Sequence, residues 1–167
     1  PIGKRYPFAG IFDGNGKTIS GLYGTTKSNH MGLFGYAGES SIIKNLRVAN
    51  SYFEMNDNQI RIGSIAGRGE GAFHTIYSDA IISCTGQANG GIVGYKASEG
   101  SSSIVNCWYA GTINMLGDNS KYTGGIVGRI QNGKLTVDNC LFTGTIQIGG
   151  AKRSASVGGL CGYAKHN

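Results

Sequence analysis

Gly124-Gly125-Ile126-Val127-Gly128 decides the reading of this chain. Close copies stand 34 residues to either side, at Gly90-Gly91-Ile92-Val93-Gly94 and Gly158-Gly159-Leu160-Cys161-Gly162. Met31-Gly32-Leu33-Phe34-Gly35 and Ile62-Gly63-Ser64-Ile65-Ala66-Gly67 are looser copies. Self-similarity at such a period marks a solenoid, propeller or array. After each copy a polar loop leads into a second apolar stretch: Ile43-Lys44-Asn45-Leu46, Phe73-His74-Thr75-Ile76, Ile104-Val105-Asn106-Cys107 and Val137-Asp138-Asn139-Cys140. A third short strand is expected to close each unit. No helical periodicity separates these strands, which excludes βαβ units, and the unit is short for a four-stranded propeller blade.

The expected fold is therefore all-β: a right-handed parallel β-helix of about five coils, forming a single domain over residues 1–167. An antiparallel barrel or sandwich is the runner-up. The hand follows the general rule for parallel crossovers. At about 4.8 Å per coil, five coils make a stack roughly 25 Å long.

Composition narrows the class. The chain has 167 residues with 30 glycines and 2 prolines. The glycines follow no Gly-X-Y period, which excludes collagen, and 40% of residues are apolar, which argues against a disordered Gly-rich linker. The glycines read as corners of a turning chain. Net charge is +6, but the basic residues are scattered from Lys4 to Lys165 without a run. Nucleic-acid binding is not expected; a mild preference for acidic surfaces or glycans is as far as charge leads. No run reaches the roughly 18 apolar residues of a membrane helix. Asp13-Gly14-Asn15-Gly16 reads as a tight turn between strands over 8–12 and 18–22.

If coils stack, equivalent residues form columns. Leu33, Ile65, Ile92, Ile126 and Leu160 are uniformly aliphatic and are assigned to the interior. Alternation along a strand then sends Phe34, Ala66, Val93, Val127 and Cys161 outward and returns Gly35, Gly67, Gly94, Gly128 and Gly162 inward. The next column, Tyr36, Arg68, Tyr95, Arg129 and Tyr163, alternates aromatic and cationic residues and faces outward. It is either a stiffening ladder or a binding strip, since Tyr and Arg are favoured in interfaces. These five are the candidate binding residues. Asn45, Asn106 and Asn139, with Thr75 in the second unit, suit a bend at left-handed φ with amides bonding between coils. Cys84, Cys107, Cys140 and Cys161 contain no Cys-x-x-Cys pair; Cys107 and Cys140 share a column and are expected to be free thiols.

No catalytic constellation emerges. His30, His74 and His166 fall at unrelated repeat positions, and no nucleophile elbow or phosphate loop occurs. Glu39, Glu70 and Glu99 align loosely as an acidic edge, expected to be solvated; a polysaccharide-cleaving site is the sharper alternative. No metal or cofactor is expected.

Gly-Gly-Ile-Val-Gly-Tyr (90–95), followed by Ile-Val-Asn-Cys-Trp-Tyr-Ala-Gly-Thr-Ile (104–113), resembles the GLUG-type repeat of bacterial surface and secreted proteins. Phe-Asp-Gly-Asn-Gly-Lys-Thr-Ile-Ser-Gly-Leu (12–22) and Gly-Leu-Phe-Gly-Tyr (32–36) resemble the opening of such arrays. Similar repeats occur in adhesin-like proteins and beside immunoglobulin A-cleaving metalloprotease domains. The zinc motif His-Glu-x-x-His is absent, so the resemblance implies no proteolysis. It implies an extracellular or cell-surface repeat domain for adhesion, ligand binding or display, with an inert spacer as an alternative. Expected partners are a host or bacterial surface protein or glycan and the flanking domains of a longer parent protein. End-to-end self-association is a further expectation, because both ends of the sequence fall within the repeat pattern and solenoids need capping.

Overall fold

The computed structural model describes residues 1–25, 29–57, 60–117, 120–149 and 155–165. The described residues contain no helix, and the strands pair in parallel throughout as a β-helix of about five turns. The first turn comprises β1 (Ile11–Ser20), β2 (Tyr23–Thr25), β3 (His30–Met31) and β4 (Phe34–Ala37). The second comprises β5 (Ile42–Ala49), β6 (Tyr52–Met55), β7 (Arg61–Gly63) and β8 (Ala66–Gly69). The third comprises β9 (Ala72–Ser78), β10 (Ile81–Cys84), β11 (Ala88–Gly90) and β12 (Val93–Lys96). The fourth holds β13 (Ser101–Val105), β14 (Trp108–Tyr109), β15 (Thr112–Met115), β16 (Tyr122–Gly124) and β17 (Val127–Ile130). The fifth holds β18 (Lys134–Asp138), β19 (Leu141–Phe142), β20 (Thr145–Ile148), β21 (Ser156–Gly158) and β22 (Cys161–Ala164).

Equivalent strands of successive turns stack into four sheets. Sheet 1 holds β1, β5, β9, β13/β14 and β18/β19, and sheet 2 holds β2, β6, β10, β15 and β20. Sheet 3 holds β3, β7, β11, β16 and β21, and sheet 4 holds β4, β8, β12, β17 and β22. Each unit thus carries at least four strands, where the sequence suggests two or three. The core is one continuous column of Ile, Phe, Met and Val, including Ile43, Phe73, Ile82, Ile92, Ile104 and Ile126.

The Gly-Gly-Ile-Val-Gly stretch is not one strand. β11 ends at Gly90, Gly91 and Ile92 form a corner, and β12 begins at Val93. The corner resets the alternation of side chains. Ile92 and Val93 are both buried, as are Phe34, Ala66 and Val127. The outward assignment of the Phe34, Ala66, Val93 and Val127 column is therefore corrected: alternation cannot be carried across a bend. Ile65, Ile92 and Ile126 are interior as expected, while Leu160, in the last turn, is 47% exposed.

The Asp13-Gly14-Asn15-Gly16 turn is also corrected. β1 runs through it, pairing in parallel with β5 on both sides, with a register shift between Asp13 and Lys17. Asn15 and Gly16 have left-handed φ of 48° and 70°, so the local turn chemistry makes a bulge rather than a chain reversal. The same corner recurs in every turn, with φ of 53° at Asn45, 55° at Thr75, 54° at Asn106 and 46° at Asn139. Asn is among the few non-glycine residues that visit this region routinely. Its amides also bridge turns, from Asn45 Nδ2 to Asp13 Oδ1 (3.0 Å) and from Asn139 Nδ2 to Asn106 Oδ1 (2.7 Å).

All four cysteines are free thiols. Cys107 and Cys140 neighbour one another in adjacent turns, with Leu141 N–H donating to the Cys107 carbonyl at 2.8 Å. Their mutual hydrogen bond and burial hold the Cys107 thiol protonated, while the same bond lowers Cys140 to about 7.

Candidate functional site

Sheets 3 and 4 lie in backbone contact. A Cβ placed on Gly94 would sit 2.6 Å from Ile62 O and 2.7 Å from Ile62 N, and one on Gly128 would sit 2.5 Å from Asn89 N. Only glycine permits this approach, since real Cβ atoms do not come so near backbone. The consequence is that outward residues of both sheets share one strip.

On sheet 4 that strip is the predicted column. Tyr36 is in register with Arg68, Arg68 with Tyr95, Tyr95 with Arg129 and Arg129 with Tyr163. All five are half-buried. On sheet 3 the matching register is His30, Arg61, Ala88, Tyr122 and Ser156. The two columns interlock. Arg68 lies 4.4 Å over the Tyr36 ring, Arg61 4.6 Å over Tyr95 and Arg129 4.7 Å over Tyr122. Arg129 is also 5.8 Å from the centre of Tyr95 and 5.6 Å from that of Tyr163, and Tyr122 and Tyr163 pack at 4.7 Å. Ala88 and Ser156 supply the room: each is small where its sheet 4 partner is tyrosine.

The predicted residues are thus brought together, but the sequence reading missed half the strip. His30, Arg61 and Tyr122 belong to it. Their signal is a position two residues before Gly32, Gly63 and Gly124, varying in bulk against the Tyr/Arg column.

Electrostatically the strip is cationic. Arg68 Nε donates to Glu70 Oε1 at 2.6 Å. Among the described residues no carboxylate lies within ion-pairing distance of Arg61 or Arg129, and Arg129 Nε is buried without a hydrogen-bond partner. Burial lowers the pKa of Arg61, with Tyr95 opposing, yet a guanidinium stays charged at any ordinary pH. Burial, aided by Arg61 and Arg68, drops His30 to about 4, so its ring is neutral at pH 7; its Nε2 is unpartnered. Burial raises the Tyr36 hydroxyl against the pull of Arg68.

The acidic edge does not form. Glu39 and Glu99 are exposed, but Glu70 is fully buried. The link from β8 to β9 is only Glu70-Gly71, whereas flanking links span 38–41 and 97–100, so the loop at 97–98 roofs the carboxylate. Glu70 accepts from Ala97 N (3.0 Å) and Ser98 N (3.0 Å) and lies 3.7 Å from the buried Lys96 Nζ. Burial works to raise its pKa, but the bonds from Ser98, Arg68 and Ala97 win and hold it below the ordinary value. Lys96 Nζ in turn donates to Ser98 O (2.7 Å) and Asn132 O (3.2 Å). Every strong acceptor site of Glu70 is therefore spent on structure. No group of three or more His, Cys, Asp or Glu able to hold a metal occurs among the described residues, and His166 lies outside them.

No family model matches the chain, and no solved structure matches it. A protein of Evansella cellulosilytica described as a "Gly-rich membrane protein" is 31% identical over 78 residues, 46% of this chain. Those residues span 9% of that protein's length.

Proposed function

We propose that the chain is a non-enzymatic, extracellular bacterial repeat domain that binds or displays, serving adhesion as part of a larger surface protein. The observation that carries this reading is the Tyr/Arg strip, in which Arg61 and Arg129 are stacked on aromatic rings without a carboxylate partner among the described residues. A guanidinium stacked over a ring can still offer N–H groups to an oxyanion and has little rotamer freedom left to lose. The matching ligand is an acidic glycan or an acidic segment of a surface protein, in keeping with the net charge of +6. The resemblance to GLUG-type surface repeats points the same way. The polysaccharide-cleaving alternative loses its main candidate, because Glu70 is enclosed and committed to Arg68 and Lys96.

Immobilised heparin and polygalacturonate test the reading. Binding should weaken with added salt, and the folded double variant Arg61→Gln, Arg129→Gln should lose most of it. Equal retention of wild type and double variant, or no retention of either on both polymers, sinks the proposal.

A further inference from the structure

Sheet 1 carries a second recess, distinct from the strip on sheets 3 and 4. It is an open groove of about 550 Å³, walled by Asn15, Asn45, Thr75 and Asn106 on one side and Arg47, Tyr77 and Trp108 on the other. The buried Leu46 and Ile76 form its floor. It runs across the turns, because Arg47, Tyr77 and Trp108 are in register on β5, β9 and β14.

We propose that this groove binds a neutral, hydroxyl-rich oligosaccharide lying along the axis of the β-helix. Trp108 is 43% exposed yet fixed in orientation: its Nε1 donates to Thr143 Oγ1 at 2.7 Å, and Tyr77 meets it edge-on at 4.9 Å. A rigid, exposed indole offers apolar area at little entropic cost, and the C–H face of a pyranose is its natural complement. The opposite wall supplies what the hydroxyl rim of a sugar requires. The Asn ladder is broken at Thr75, so Asn45 Oδ1, Thr75 Oγ1 and Asn106 Nδ2 have no protein partner among the described residues. Acceptor, hydroxyl and donor thus follow one another at the spacing of the coils.

Charge selects a neutral ligand over an acidic one. Arg47, the cation on the groove wall, is engaged by Asp79 at 3.5 Å and stacked 4.5 Å over Tyr77. Nearby Lys44 pairs with Asp13 at 3.4 Å. Each of these positive groups is offset by a carboxylate, unlike Arg61 and Arg129 of the other face, which have no carboxylate partner among the described residues. This inference stands independently of the proposed role of that face.

Trp108 is the chain's single tryptophan, so its emission reports on this groove alone. The full chain is titrated with cellohexaose, mannohexaose, xylohexaose and chitohexaose, and in parallel with hexagalacturonate. At least one neutral sugar should shift the emission saturably and bind more tightly than hexagalacturonate. By calorimetry, Trp108→Ala should weaken that sugar about tenfold or more, and Asn106→Gly, which preserves the left-handed corner, should weaken it severalfold. The double variant Arg61→Gln, Arg129→Gln should bind it as wild type does. No emission change with any neutral sugar, preference for hexagalacturonate, or undiminished binding by a folded Trp108→Ala protein would each overturn the proposal.

Discussion

Thr75 is the one β-branched residue in the left-handed column, with φ 55°, where the neighbouring turns use Asn45 and Asn106. A left-handed conformation costs a residue with a Cβ about 1–2 kcal/mol, and Asn recovers part of that through its compact polar side chain. Thr75→Asn should therefore relieve roughly 0.5–1 kcal/mol of strain. It also restores the interrupted amide ladder, which at present bridges Asn45 to Asp13 and Asn139 to Asn106 but not the turns between. Each restored bond is worth about 0.5–1 kcal/mol, toward the low end because Thr75 is exposed. The expected gain is about 1–2 kcal/mol, or a rise in Tm of roughly 2–8 °C for a chain of this length. Thr75→Gly separates the two contributions. It relieves the strain but adds no amide, and its unfolded-state entropy of about 0.5–1 kcal/mol leaves it near wild type. Urea midpoints are the measure, with coincidence of circular dichroism and fluorescence transitions checking cooperativity. A Thr75→Asn protein no more stable than wild type refutes the reasoning about this column. Equal gains from Asn and Gly would refute the ladder while keeping the strain.

Glu70→Gln should cost about 3–5 kcal/mol, because it strands the buried Lys96 charge. Adding Lys96→Met should recover a large share, so urea denaturation of both singles and the double should show strong positive coupling; additive losses would contradict the pairing. His30 is held to about 4 when folded and titrates near 6.5 when unfolded. The unfolded state then binds more protons between those values, so the His30 contribution to stability is complete above about pH 6.5 and is lost as pH drops towards 4. His30→Gln should flatten that part of a stability-against-pH curve, an effect lost if the slope belongs to Glu70, whose lowered pKa acts only below its ordinary 4.5. Gly94→Ala forces a Cβ to 2.6–2.7 Å from backbone atoms of the facing strand, whereas one at Gly159 meets nothing within 4 Å. The first should lower Tm by many degrees or prevent folding and the second should leave it within a degree or two; similar melting curves would show that sheets 3 and 4 are not in contact.

Repetition made the coil legible, because a solenoid buries each turn only on its neighbours and must rewrite the same residues. The left-handed Asn column was legible for the same reason, as was the outward Tyr/Arg column: its residues are too polar to be enclosed in every turn. What repetition does not encode is where the chain bends. Gly91-Ile92 turns a corner because sheet 3 must fold back on sheet 4, and nothing in the local pattern separates that from a straight strand. The error at Phe34 and Val93 follows directly, as does the tight turn expected at Asp13-Gly14-Asn15-Gly16. Glu70 was misread for a different reason. Its burial depends on the neighbouring 97–100 link being longer than its own, a comparison between turns and not a property of its own segment.

The glycine columns tie scaffold and site together more closely than the sequence suggests. If Gly67, Gly94 and Gly128 only eased corners, the Tyr/Arg column would stand alone on sheet 4, and single aromatic rings would alternate with single cations. Because those glycines bring the backbones of sheets 3 and 4 together, each turn contributes two residues to one strip, and their volumes must fit. Ala88 beside Tyr95 and Ser156 beside Tyr163 meet that requirement, and Arg61 reaches Tyr95 across the space that Ala88 leaves. Widening the gap between the sheets would separate Arg61 from Tyr95 and Arg129 from Tyr122 at once, without touching any of the four. Substituting Ala88 by a large residue should likewise displace Arg61 and weaken binding to acidic polymers while the coil itself remains folded. The strip is thus a product of sheet spacing, and the spacing is a product of glycine.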